Sequence, residues 1–400
     1  MKIDENYYTF AIIMAVSQDK IKVLFRHRSM EMGGVEKVLL SMLNHLDKQK
    51  FELSVGINLH QGELRNAIPS DIKTTFLAKG KEDFSKNKIL YYTQLALRKC
   101  QLNLYKICPW ILHQWIMKNN ADVEIATGYT MFDDVLRSAN KKSKKIGWFH
   151  SDITFPKLQP IVPKLLQQIP KFDYFIFGSQ QAHDIFVSTY PDVELPPNQV
   201  VLNAIPIEEI RVKAAQETIQ REAVPTFVGV GRLHSRKGFH TLLEAHAQLL
   251  NEGFAHQIWI IGDGEEYEAL RQQIQALGVE KSFLLLGTKM NPYPYIQAAD
   301  AFIMPSESEG WPLIIAETLI LKKQIIATRV GGIPEMIQDR ETGLLCEYSI
   351  ADLAKTMKIF FEDKGTIYHI EKNLQDIDKK FDNQKIFNTV EDIIIKTVKK

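Results

Sequence analysis

Short apolar runs recur along the chain, separated by loops and by stretches whose apolar positions fall at helical spacing. The first run, Ile21-Lys22-Val23-Leu24-Phe25, reads as a strand; a glycine pair follows at Gly33-Gly34, and Val35 to Leu46 has the period of a helix. Further strands are predicted at Phe51 to Ile57, Val123 to Ala126, Lys145 to Trp148 and Tyr174 to Gly178. A second series begins after Val224-Pro225, with strands at Thr226 to Val230, Gln257 to Ile261, Ser282 to Leu286, Ala301 to Met304 and Gln324 to Ala327. Strands alternating with helices in this way predict an α/β chain built on doubly wound, mostly parallel sheets. Two such series imply two Rossmann-like domains.

The junction falls near Asn203-Ala204-Ile205-Pro206, giving an N-terminal domain over residues 21–205 and a C-terminal domain over residues 206–384. The tail from Asn373 to Lys400 reads as helical, and its last part, about residues 385–400, is expected to pack back on the first domain. Residues 1–20 read as an N-terminal extension, with Met14 as an alternative start. The apolar run Phe10 to Val16 inside it is too short for a membrane span and lacks the basic flank of a signal peptide.

Composition adds bounds. The 400 residues are 45% hydrophobic with a net charge of +1, enough apolar content for a large core and no global pull toward nucleic acid. Residues 1–205 hold 26 Lys+Arg against 20 Asp+Glu, while the remainder holds 23 against 28. The whole excess of the first half is matched by residues 79–118, with eight basic and two acidic side chains among Phe84, Tyr91, Tyr92, Tyr105, Trp110 and Trp115. Basic and aromatic residues on amphipathic helices suit an anionic membrane surface, and an ordinary helix pair with solvated lysines is the alternative. Cys100, Cys108 and Cys346 are an odd set without C-x-x-C spacing, which argues against a disulfide framework or a zinc site and fits a reducing cytoplasm.

Candidate chemistry concentrates around Glu309 and Glu317, eight positions apart and separated by Gly310-Trp311-Pro312-Leu313. Pro312 stands where a first helical residue is favoured, so Glu309 is placed on a loop and Glu317 within the helix. Eight helical residues correspond to about 12 Å of rise, beyond the roughly 5 to 9.5 Å of a glycosidase pair. A helix N-terminus between two acids offers N–H groups to a phosphate and carboxylates to hydroxyls, an arrangement suited to a nucleotide-diphosphate sugar. An isolated pair at this spacing is equally what a capped surface helix would show.

Other residues extend this pattern. Gly33-Gly34 lets backbone approach a ligand but lacks the third glycine of a dinucleotide fingerprint. His150 ends a strand at the carboxyl edge of the first predicted sheet; its neighbours Ser151 and Asp152 do not make a hydrolytic triad, because adjacency in sequence is not convergence in space. Arg232 and Lys237 follow the strand ending at Val230 and provide two cations for a diphosphate, one bidentate and one a point charge. Gly262-Asp263-Gly264, Gly287-Thr288 and Gly331-Gly332 each read as sharp turns after strands.

In order, Gly33-Gly34-Val35-Glu36, Trp148-Phe149-His150-Ser151-Asp152, Gly231-Arg232-Leu233 with Lys237-Gly238, Gly262-Asp263-Gly264, and Glu309-Gly310-Trp311-Pro312-Leu313 with Glu317 resemble the retaining GT-B glycosyltransferases of glycosyltransferase family 4. The resemblance covers about residues 21 to 395. It implies two Rossmann-like domains facing across a cleft, the first for the acceptor and the second for the donor. It implies that His150, Glu309, Arg232 and Lys237 serve the reaction and that Gly33, Gly34, Gly231, Gly262, Gly264, Thr288, Gly310, Trp311, Pro312, Leu313 and Glu317 help to bind the donor. Within this scheme Arg232 and Lys237 hold the leaving diphosphate, Glu309 the sugar hydroxyls and Glu317 the ribose. Many relatives have a small residue where Pro312 stands, and proline has no N–H to give.

The resemblance therefore implies transfer of a hexose from a nucleotide-diphosphate sugar, UDP in the first instance, to a glycan or polyprenyl-linked acceptor. Capsule, exopolysaccharide or lipopolysaccharide synthesis is the family's usual context. No metal and no cofactor is expected, nor nucleic acid as partner; the location implied is cytoplasmic, with peripheral contact at the inner face of the membrane through residues 79–118. Rival expectations on the same fold are a nucleotide-sugar epimerase or hydrolase, which would release nucleotide without an acceptor, and a binding subunit without turnover.

Overall fold

A computed structural model describes residues 20–399; the expected N-terminal extension and Met14 lie outside them. Among the described residues are two parallel sheets. The first joins β1 (Ile21–His27), β2 (Phe51–His60), β3 (Lys73–Lys79), β4 (Val123–Ala126), β5 (Lys144–Phe149), β6 (Tyr174–Phe177) and β7 (Asn198–Val200) in the order β3-β2-β1-β4-β5-β6-β7. The second joins β8 (Thr226–Val230), β9 (Gln257–Ile261), β10 (Phe283–Leu285), β11 (Ala301–Met304), β12 (Gln324–Thr328) and β13 (Leu344–Cys346) in the order β10-β9-β8-β11-β12-β13. In both, the strand order reverses beside the first strand: β1 pairs with β2 and β4, and β8 with β9 and β11. Such a reversal opens a crevice at the carboxyl ends of the strands.

The central strands are apolar runs rather than alternations because they are covered on both faces, as β4, β9 and β11 show by complete burial. Among the helices the sheets carry are α1 (Gly34–His45), α2 (Lys88–Ile107), α3 (Gln180–Thr189), α4 (Phe239–Asn251), α5 (Tyr293–Ala298), α6 (Leu313–Ile320), α7 (Lys364–Leu374) and α8 (Asn383–Lys399), with further helices and turns between them. Three strands escape the sequence pattern. β3 and β7 are polar edge strands, and β13 has only three residues. The helical tail is also interrupted: α7 stops at Leu374, one 3-10 turn covers Ile377–Lys380, and α8 restarts at Asn383.

The chain separates into two compact units, one of residues up to Gly147 with Lys171–Tyr174 and Val390 onward, the other of Trp148–Pro170 with Phe175–Thr389. In the first unit, Glu391 of α8 accepts from the Asp47 backbone at 3.0 Å and from Lys50 at 2.8 Å, which fastens the last helix to the turn before β2. In the same unit Glu124 is fully buried opposite its register partner Lys145, whose Nζ lies 2.6 Å away, and Ser138 and Ser143 donate to the same carboxylate at 2.7 Å. Three donors make this buried charge tolerable.

The second unit buries a histidine pair. His256 Nδ1 faces the Phe254 carbonyl at 2.7 Å, His256 Nε2 faces His246 Nδ1 at 2.7 Å, and His246 Nε2 faces Ser282 Oγ at 2.9 Å. Neutral tautomers satisfy every contact: each Nδ1–H donates and each Nε2 accepts. Burial, with His256 adding to it, pushes the His246 pKa down to about 3. The folded value lies below the unfolded one, so the neutral form favours folding; this stability is complete above about pH 6.5 and is lost as pH falls from there toward 3. The expected result is a loss of about 2 kcal/mol between pH 7 and pH 5 in urea denaturation, with a flatter pH dependence for His246→Gln. Equal slopes for both proteins would count against this assignment.

Candidate active site

The reversal point of the second sheet lies between β8 and β11, and the loops leaving these two strands are laced together. Ser235–Lys237 make one 3-10 turn that ends at Gly238 in the left-handed conformation, φ 67°. A Cβ at Gly238 would stand 1.9 Å from the Pro305 carbonyl oxygen of the β11 loop. Beside this contact the Glu307 backbone donates to the Arg236 carbonyl at 2.8 Å, and Lys237 Nζ meets Glu309 Oε1 at 2.6 Å. The Glu309 side chain is buried and that of Lys237 nearly so. Gly238→Ala is therefore expected to lower the thermal midpoint and turnover together, since clash and left-handed strain both act where Lys237 is aimed. A Gly238→Ala enzyme with unchanged melting and kinetics would contradict the placement of this turn.

The β12 loop supports the other side of Glu309. Gly331 has φ 56°, and a Cβ there would lie 2.0 Å from the Glu309 carbonyl oxygen; the Gly332 backbone donates to Gly310 at 2.6 Å. Gly310 itself packs on the His150 backbone, where a Cβ would meet the carbonyl oxygen at 2.7 Å. The His150 ring stacks on Trp148 with centroids 5.2 Å apart and planes 25° apart. Pro312 corrects one sequence expectation: it is the N-cap, in an extended conformation, and α6 begins at Leu313. The first N–H groups with no intrahelical acceptor thus start at Leu313, one position after the residue that has none.

Glu317 lies inside α6 with its side chain buried, and Tyr293 of α5 is its neighbour. Burial raises the Tyr293 phenol far above its usual range, and the hydrogen-bonded Glu317 carboxylate adds to the rise. The phenol remains protonated and donates to Glu317. Nothing in the spacing of Glu309 and Glu317 pointed to this tyrosine.

The β8, β9 and β10 loops meet along the same carboxyl edge. Gly231 donates to the Ile261 carbonyl at 2.9 Å, Leu233 to that of Asp263 at 3.0 Å, and Gly262 to that of Gly287 at 3.0 Å. A Cβ at Gly264 would come within 2.2 Å of the Leu233 carbonyl, so the backbone of the β9 turn presses on that of the β8 loop. Gly231, Gly262, Gly264 and Gly287-Thr288, far apart in sequence, are brought to one rim. Arg232 stays largely exposed on this rim, 3.7 Å from Glu265, whose other oxygen is 3.5 Å from His234. Arg236 lies over the Phe155 ring at 4.9 Å. Arg232 and Lys237 therefore differ in setting: one cation is screened by water, the other is held against a carboxylate.

Two contacts in this unit had no sequence signal beyond a turn. Glu335, at the end of Gly331-Gly332-Ile333-Pro334-Glu335, accepts from the Gln181 backbone at 2.7 Å and from that of Gln180 at 3.4 Å, the first residues of α3. A carboxylate at a helix N-terminus is favoured by the dipole and by the free N–H groups. In the first unit, Gly33 is the N-cap of α1 and lies under Glu36, whose Oε2 would be 2.4 Å from a Cβ at Gly33. Glu36 also faces His27 at 3.5 Å, and His27 Nδ1 meets Thr127 Oγ1 at 2.6 Å. The helix start at Gly33-Gly34 is thus already provided with a carboxylate.

Two doubly wound parallel sheets define the GT-B class. A crystal structure of the Anabaena protein HepE in complex with UDP and glucose superposes with a TM-score of 0.73 over 94% of this chain and 100% of that one, at 18% identity. Sucrose-phosphate synthase from Thermosynechococcus elongatus superposes at 0.71 over 94% and 99%, at 15% identity. Residues 211–379, most of the second α/β series, match the family described as glycosyl transferases group 1, and the fold of the chain is GT-B. The lipopolysaccharide core biosynthesis glycosyltransferase LpsE of Rhizobium meliloti is 33% identical over 128 residues, 32% of this chain and 36% of the relative. That match spans about a third of either protein. The N-acetylgalactosamine-N,N'-diacetylbacillosaminyl-diphospho-undecaprenol 4-alpha-N-acetylgalactosaminyltransferase of Campylobacter jejuni is 26% identical over 90% of this chain and 95% of its own length.

Proposed function

We propose that the protein is a retaining transferase that moves a hexose from a UDP-sugar to a glycan or lipid-linked oligosaccharide at the cytoplasmic face of a membrane. Residues 206–384 serve as the donor domain and residues 21–205 as the acceptor domain. The observation that carries this reading is the Lys237–Glu309 pair, its carboxylate buried and its lysine part-buried, at the reversal point of the second sheet, beside the start of α6. In the proposed complex Lys237 and Arg232 face the diphosphate, Glu309 takes sugar hydroxyls and Glu317 takes the ribose. Negative charge grows on the leaving diphosphate as the glycosidic bond breaks, and a fixed ammonium stabilises it there. In a same-face displacement the acceptor hydroxyl proton passes to the departing phosphate oxygen, so no protein nucleophile is required. His150 orients the sugar.

Support for the donor comes from the UDP-bound HepE structures and, for the acceptor, from the diphospho-undecaprenol in the name of the Campylobacter relative. The α linkage in that name is what retention gives from an α-linked nucleotide sugar. The test is incubation with a panel of nucleotide sugars, with and without lipid-linked acceptors, reading nucleotide release and the anomeric configuration of the product. Acceptor-dependent release with an α product is expected. Release that needs no acceptor would identify an epimerase or hydrolase, and binding without turnover would identify a donor-binding subunit.

A further inference from the structure

Within the second unit a closed circuit of contacts surrounds His150 and Glu309, and one exposed carboxylate completes it. Gly178, just before the Ser179 cap of α3, donates to the Phe149 carbonyl at 2.9 Å, and a Cβ there would stand 3.1 Å from His150 Nδ1. On its carbonyl side His150 meets Gly310, where a Cβ would come within 2.7 Å of that oxygen. Gly310 accepts from the Gly332 backbone at 2.6 Å, and Gly332 accepts in turn from the Glu335 backbone at 3.2 Å. The Glu335 carboxylate then returns to α3 through the N–H groups of Gln181, at 2.7 Å, and Gln180, at 3.4 Å. From His150 the circuit thus runs through Gly310, Gly332, Glu335 and α3, and closes at Gly178 against the same histidine.

Every other link is backbone against backbone. The Glu335 side chain is the exception, an ionised acceptor for free N–H groups at the start of a helix, and such bonds are stronger than neutral ones. Helix α3 does not need it as a cap. Ser179 Oγ already accepts from Ala182 at 3.1 Å, and Glu335 serves the two N–H groups that Ser179 leaves open. Gln180 and Glu335 are exposed, so water can satisfy the same groups, and the net contribution of such a bond to folding is small. What water cannot supply is a fixed distance between α3 and the turn after β12. Ile333, fully buried, anchors the base of that turn, and Glu335 fixes its outer end.

We propose that Glu335 is a positioning residue: by holding the start of α3 it sets the Gly331-Gly332 turn against Glu309-Gly310 and keeps Glu309 and His150 at the spacing that sugar transfer requires. The inference rests on the roles proposed for those two residues. Glu335 itself touches neither donor nor acceptor in this scheme, so its loss should spare binding and slow the reaction.

The test combines steady-state kinetics with amide hydrogen exchange on the full-length protein. Glu335→Ala is expected to lower kcat about 10- to 100-fold, the cost of a misplacement of about 1 Å. Donor KM and the affinity for UDP by calorimetry should stay within about threefold of the wild type. Glu335→Gln keeps a carbonyl oxygen for Gln181 and should retain most of the turnover. Gln181→Pro removes the N–H at the other end of the bond, in the first helical turn where proline is tolerated, and should match Glu335→Ala. The double variant should be no slower than either single one, because both changes remove the same contact. Exchange reads the link without turnover: the Gly332 amide should exchange about 10-fold faster in Glu335→Ala while the thermal midpoint changes little. Should Gln181→Pro misfold, the two Glu335 variants still decide the matter. The proposal is overturned by wild-type kcat in Glu335→Ala, by a loss carried in KM instead of kcat, or by losses that multiply in the double variant. If the wild type turns over no nucleotide sugar, the transferase reading fails by itself; faster Gly332 exchange in Glu335→Ala then still supports the link to Gly310, and unchanged exchange overturns it.

Discussion

Replacement of Lys237 by alanine is expected to lower turnover by about 10²- to 10³-fold, the usual cost of removing one well-placed group that stabilises developing negative charge. The donor KM should change little, because the charge on the diphosphate is largest in the transition state. Stability will suffer too, since the Glu309 carboxylate, 2.6 Å from Nζ and buried, loses its counter-ion. These effects separate in a double variant. Lys237→Met with Glu309→Gln removes both charges, so the melting temperature should recover most of what Lys237→Ala loses, while turnover stays low. Recovery of turnover together with melting would mean that the pair is structural. Wild-type kinetics in Lys237→Ala would remove Lys237 from the reaction.

Glu317→Ala should raise the donor KM by about 10- to 100-fold with kcat within a few-fold, the loss expected when a charged hydrogen-bond partner is withdrawn from a bound ligand. The structure makes a control necessary. Tyr293 donates to the same carboxylate, so Glu317→Ala also leaves a buried phenol without its acceptor. Tyr293→Phe keeps the shape of α5 and removes only the hydroxyl. If Glu317 binds donor directly, Tyr293→Phe should leave KM near the wild-type value; a matching rise in KM would show that the carboxylate acts through the tyrosine. Binding of UDP alone, followed by calorimetry, provides the same comparison without turnover.

Much of this architecture is legible in the chain because its information is local. A run such as Ala301-Phe302-Ile303-Met304 is a strand buried on both faces wherever it occurs, and β4, β8, β9 and β11 have the bounds their apolar runs predict. Glycines needed at sharp turns, among them Gly262, Gly287 and Gly331, are marked by their neighbours in sequence. Edge strands were harder. β3, Lys-Thr-Thr-Phe-Leu-Ala-Lys, is neither an apolar run nor an alternation, and its pairing to β2 comes from position in the sheet rather than from composition.

Side-chain partners were the least legible. Sequence placed Lys237 beside a diphosphate and Glu309 beside a sugar, while the fold brings them to each other across 72 positions. The offset of Pro312 from first helical residue to N-cap is a difference of one residue, within the ordinary ambiguity of helix ends. Its chemical consequence survives, because the missing N–H belongs to proline in either position. The interruption between α7 and α8 was missed because apolar spacing continues through Phe381 while the backbone does not.

By itself, then, the chain determines its elements, its two α/β series and the residue types that reach the carboxyl ends of the strands, since these follow from short-range periodicity and backbone preference. Tertiary structure alone decides which of those residues meet. The order β10-β9-β8-β11-β12-β13 brings the loops after β8 and β11 together, and only that order turns a lysine and a glutamate into one part-buried pair. It also decides which side of α2 faces water, because the helix is equally compatible with either orientation until Leu102 and Tyr105 find the cluster beneath them.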